Sequence, residues 1–97
     1  MDANRISHWV NMATHMLSLA ETQGTSPHAD ICLNGACQYL RIARGETKAY
    51  FDDMCRRMDE RQRTVVHKAA SDDLRQFDIR IERIHMLRQA IRQGGSR

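Results

Sequence analysis

Proline occurs once, at Pro27, and the 48 residues between Gly45 and Gly94 contain neither proline nor glycine. An all-β chain needs turn signals roughly every 8 to 12 residues, so this gap excludes a sandwich or barrel and points to long helices. Aromatics are equally sparse: Trp9, Tyr39, Tyr50, Phe51 and Phe77 are the full set. The core must therefore be aliphatic, with methionine contributing, a composition that suits helices better than sheets. No apolar run approaches the ~20 residues that cross a bilayer, which argues against a transmembrane role or a membrane partner. Cys32, Cys37 and Cys55 make an odd count without close paired spacing, and no apolar segment follows the N-terminus. That pattern fits a reducing cytoplasm.

What the chain does have is an ordinary globular balance. Its 97 residues are 41% hydrophobic and 28% charged, enough apolar surface for one folded domain over residues 1–97 and too much for a disordered tail. The net charge of +3 is unevenly placed: residues 1–45 hold three bases and three acids, residues 46–97 twelve and nine. From Arg83 onward there are four arginines and no acid, a basic end suited to the negative pole of a helix C-terminus. Arginine supplies 13 of the 15 bases, a bias that GC-rich coding explains as readily as any need for planar donors.

Hydrophobic spacing predicts four helices, at about 3–22, 27–44, 46–70 and 72–93. In the first, Ile6, Trp9, Val10, Ala13, Met16, Leu17 and Ala20 share one face, and Gly24 ends it. Ser26 then offers an N-cap oxygen and Pro27 sits at the first helical position, where its missing N–H costs nothing. The second helix is apolar over about two thirds of its circumference and is expected to be central. Gly35 inside it predicts a close crossing with a neighbour, and Gly45 is expected to close it. The third carries Phe51, Met54, Cys55, Met58, Val65, Val66 and Ala69 on one stripe, with Asp52–Arg56, Asp53–Arg57 and Asp59–Arg63 spaced as i,i+4 pairs on a solvated face. Ser71, Asp72 and Asp73 are expected to cap a fourth helix, and if they fail to break the chain the last two helices merge.

The segment FDIRIER, residues 77–83, alternates like a strand. Helix nevertheless accounts for more of it, because Leu74, Phe77, Ile81, Ile84, Leu87 and Ile91 recur at spacings of three and four through both its ends. Ile79, Met86 and Ala90 then form a second, narrower apolar strip on roughly the opposite side. A helix at the edge of a small bundle needs one strip; a second asks for another surface.

Chemistry has little to stand on. His8 and His15 lie about 10 Å apart on one helical face, too far to share a metal ion unaided. Cys32 and Cys37 point about 140° apart, which predicts buried, inert thiols, and nothing in the sequence places His28, His67 or His85 beside one. There is no glycine-rich phosphate loop, no nucleophile elbow and no zinc-protease signature. A helix-turn-helix drawn over Cys37–Ala43, Gly45 and Thr47 onward would set Asp52 and Asp53 against the phosphates it must approach.

The expectation is thus an all-α, four-helix bundle-like domain with a long C-terminal helical hairpin, cytoplasmic and non-enzymatic, with no catalytic, metal or cofactor site. It would act by protein–protein contact, as a homo-oligomer, most simply a dimer, or as an adaptor or regulator of a larger partner. Ile79, Arg80, Arg83, Met86 and Arg88 are the expected partner-binding residues, with the arginines meeting acids. Their stems covering apolar surface while the heads reach water is the plainer account. The second-ranked reading is a nucleic-acid-associated accessory protein using the basic end, Arg80, Arg83, Arg88, Arg92 and Arg97, although these spread around the axis and no aromatic interleaves them for stacking.

Overall fold

The computed structural model describes residues 3–24 and 26–95. They form three α-helices, α1 (Ala3–Gln23), α2 (Pro27–Cys55) and α3 (Glu60–Gly95), and no strand. The fold is all-α, but three helices replace the expected four-helix bundle. FDIRIER lies inside α3, so burial at three- and four-residue spacing overrides its local alternation.

Helix ends explain the difference in number. Gly24 closes α1 with a φ of 62°, the left-handed cap that glycine adopts without strain. Gly45 has no such φ, and α2 runs straight through it because Glu46 pairs with Arg5 of α1 at 3.1 Å and Thr47 is buried. The break falls eleven residues later, at 56–59, inside what the spacing predicts as the third helix. There Asp59 Oδ1 accepts from the Gln62 N–H at 2.9 Å, and Gln62 Oε1 accepts from the Asp59 N–H at 3.2 Å. This reciprocal pair is a capping box that starts α3. Arg63 Nε donates to the carbonyls of Cys55 and Met58, each at 3.0 Å, tying off the end of α2. Arg63 is thus drawn to the turn instead of to Asp59, while Arg57 does reach Asp53, at 3.6 Å. Ser71, Asp72 and Asp73 do not interrupt α3, because Val66, Ala70, Leu74 and Phe77 continue one partly buried stripe across them. At the start of α2 Ser26 occupies the N-cap position with no side-chain cap bond, and Pro27 follows as expected.

α2 is central, as its broad apolar arc predicts. α1 packs antiparallel along about the first two thirds of α2, through Arg5–Glu46 and the stacked rings of Trp9 and Tyr39, 5.8 Å between centroids. A Cβ placed on Gly35 would come within 2.8 Å of the Met16 methyl, the close crossing that this glycine predicts. α3 packs antiparallel on the other flank, through Arg44–Asp78 at 2.7 Å and Arg88–Asp30 at 2.9 Å. No Cα of α1 lies within 8 Å of one in α3. The result is an open trough with α2 as its floor, 57 × 22 × 13 Å along its principal axes.

An open layer buries little. Among the described residues the buried apolar ones are Ala13, Ala20, Ala29, Ala36 and Ala43 with Leu33, Cys37, Leu40 and Ile84, so five of these nine are alanines, which bring helices close but contribute little apolar area each. The radius of gyration is 16.3 Å, where a compact chain of this length has about 12.5 Å. The accessible surface is 6907 Å² for 11.2 kDa, roughly 1,200 Å² more than the size scaling of compact monomers gives.

Candidate contact surface

The concave side of the trough is where α1 and α3 face each other without meeting. A cavity of about 500 Å³ opens there at one end, walled by Leu17 and Ala20 of α1, floored by Ala29 and Leu33 of α2, and closed by Ile84, Leu87 and Ile91 of α3. A second, of about 330 Å³, follows along the same side between Ile6, Thr47, Phe51 and Phe77. Arg80 lines both. The larger cavity exists because the alanines at the α1–α2 seam are short and α3 leans on the other flank of α2, leaving a gap that no fourth helix of this chain fills.

Charge on this side is mixed and unspent. Arg83 and Glu21 stand on opposite walls of the larger cavity, and Asp73 lines the smaller one. None of Arg80, Arg83, Glu21 and Asp73 makes an ion pair among the described residues. Leu87 is 53% exposed despite its place in the main stripe of α3, which shows that the stripe is wider than α2 can cover.

The five residues expected to bind a partner divide in two. Ile79, 36% exposed, and Met86, 62% exposed, lie at the surface, while Arg80 and Arg83 line the trough. Arg88 is turned inward: its Nε donates to Asp30 Oδ1 at 2.9 Å and its Nη1 to Asn34 Oδ1 at 3.2 Å. That hydrogen bond holds the Asp30 carboxyl below the usual carboxylate range against the opposing cost of burial, with the Arg88 and Arg92 charges adding to the effect. The same bond to Asp30 holds the guanidinium of Arg88 above its ordinary value. Arg88 thus joins the end of α3 to the start of α2, a role that spacing alone did not disclose because Asp30 is 58 residues away.

A second long-range cluster was also hidden. Cys37 Sγ lies 3.9 Å from His85 Nε2, and Arg41 Nη2 lies 3.4 Å from the same nitrogen. Arginine only donates, so a hydrogen bond from Arg41 to this nitrogen requires the tautomer in which Nε2 is the acceptor. Cys37 is 1% exposed, so this thiol has a histidine neighbour but no route to a substrate. Cys32 and Cys55 are free and partly buried, and His8 and His15 are exposed. Among the described residues no group of three or more His, Cys, Asp or Glu side chains is placed to hold a metal ion, and no helix is long and apolar enough to cross a membrane.

The unbroken α2 removes the turn at Gly45 that a helix-turn-helix requires. Arg88 is committed to Asp30, Arg80 and Arg83 sit in the trough, and Arg97 lies outside the described residues. No protein-family model, curated protein or solved structure matches the chain.

Proposed function

We propose that this chain is a small, non-enzymatic, cytoplasmic helical protein that acts by protein–protein contact through the concave face of its three-helix trough. The observation that carries this reading is the face itself: an apolar channel between α1 and α3, lined by Leu17, Leu33, Ile84, Leu87 and Ile91 and edged with unpaired charges. A concave apolar groove rimmed by charged side chains has the form that protein interaction sites commonly take. Arg80 and Arg83 supply the charged edge, and Ile79 and Met86 extend the apolar surface of α3 beyond the trough. Three free thiols are in keeping with the reducing compartment.

A photo-crosslinking amino acid in place of Leu87, irradiated in intact cells, tests the reading. Adducts to protein are expected, either at twice the mass of the chain or at the mass of the chain plus another polypeptide. Irradiation that yields only unmodified chain, or adducts to nucleic acid alone, would overturn it.

A further inference from the structure

Resting on the contact reading above, we infer that the occupant of the trough is a second copy of this chain, packed face to face about a two-fold axis. Area is the first argument. Were contact with a second copy to remove the surplus of about 1,200 Å² that each elongated chain exposes over a compact monomer of its mass, two chains would bury roughly 2,400 Å², within the range of obligate homodimers. A small ligand in the 500 Å³ cavity would leave the second cavity and the exposed side of Leu87 open. Another trough of the same shape covers all of them at once.

Charge is the second argument. A partner of one sign would satisfy only half of this face, because Arg80 and Arg83 share it with Glu21 and Asp73. A two-fold contact sets a patch against itself, so a patch carrying both signs suits its own copy. With the axis running along the helices, α3 lies over α1 of the second copy and Arg83 comes over Glu21. With the axis across the helices and level with position 78, between the two cavities, α3 lies antiparallel over α3 and Arg83 comes toward Asp73, about 15 Å further along its own helix. In both arrangements a base meets an acid.

Sedimentation of the purified full chain, with light scattering as a second measure of mass, decides the matter. The wild type is expected at twice 11.2 kDa. Leu87→Glu and Arg83→Asp should each weaken association by about tenfold or more, since an uncompensated charge enters the contact. Either Glu21→Arg or Asp73→Arg should restore association to Arg83→Asp, and which of them does so reports the direction of the axis. Leu87 and Arg83 are exposed, and unchanged far-ultraviolet circular dichroism confirms the folded state; Arg83→Asp carries the test alone if Leu87→Glu unfolds. A wild type of single mass at its highest soluble concentration overturns the inference, as does a dimer indifferent to both substitutions. A single-mass chain whose unfolding temperature rises with added laurate assigns the trough to an anionic amphiphile instead. None of these results removes the contact reading if the crosslink at position 87 reaches a different protein.

Discussion

Arg88 Nε sits 2.9 Å from Asp30 Oδ1 and joins the last turns of α3 to the first turn of α2, across 58 residues of chain. Both side chains are more than two-thirds buried, 18% and 26% exposed, so the pair is shielded well enough to matter where a surface pair would not. Arg88→Gln should lower the unfolding free energy by about 1 to 2 kcal/mol, as for a charge-assisted hydrogen bond lost at a partly buried site. Denaturant titration at fixed protein concentration measures it.

The same pair sets a pH dependence of known sign. The Asp30 carboxyl is held below its ordinary 3.8 by Arg88, so the folded state binds this proton less readily than the unfolded chain. The stability it contributes is fully present above the unfolded value and is lost as pH falls through the lower folded value. Wild type should therefore lose more stability than Arg88→Gln between neutral pH and about pH 3. Parallel losses in the two proteins would show that Asp30 is not the group responsible.

Gly45→Ala distinguishes a continuous α2 from a pair of helices. A Cβ there meets nothing within 4 Å, and the residue has no positive φ. Inside a helix the change should raise stability by about 1 kcal/mol. If Gly45 were a left-handed cap the same change would lower it. A fall in the midpoint of thermal unfolding would restore the break that the bare sequence suggests.

Where α3 begins depends on Asp59. Replacing it with alanine removes the acceptor for the Gln62 N–H and should cost about 1 kcal/mol. Asp59→Asn keeps a capping oxygen and should cost a small fraction of that. Hydrogen exchange at the amides of residues 60–63 should accelerate in the alanine variant alone; equal exchange in both would mean that Arg63, bridging the carbonyls of Cys55 and Met58, closes the turn by itself.

Much of the scaffold is written in short-range signals. The face of α1, its stop at Gly24, the start at Pro27, the central place of α2, the close crossing at Gly35 and the helicity of 77–83 all follow from residues within a turn or two of each other. The misplaced break shows where such signals conflict. Gly45 and Ser71–Asp73 carry the composition of helix ends, yet burial of Thr47 on one side and the stripe through Ala70 and Leu74 on the other keep the helix running. Asp59 and Gln62 are a capping pair in plain view, obscured because Asp59 also suits an ion pair with Arg63. Of the contact face, α3's unused apolar surface was legible, since periodicity reports which sides of a helix are greasy. Which of those sides the chain covers was not, because Asp30, Glu21 and Leu17 meet α3 only through the fold.

Cys37 offers the sharpest test of whether any chemistry hides in this protein. Its sulfur lies 3.9 Å from His85 Nε2, a pairing of the kind that activates a nucleophile. Reactivity, however, requires both a thiolate and access, and Cys37 is 1% exposed while Arg41 also engages the imidazole nitrogen. With a thiol reagent in excess, Cys32 and Cys55, both partly exposed, should be modified in the folded protein. Cys37 should react only at the rate of unfolding, accelerating with denaturant in step with loss of helix. Peptide mapping of the modified chain reads the order directly. A Cys37 that reacts first in the native protein, and slows when His85 is replaced by alanine, would move this chain from contact to catalysis.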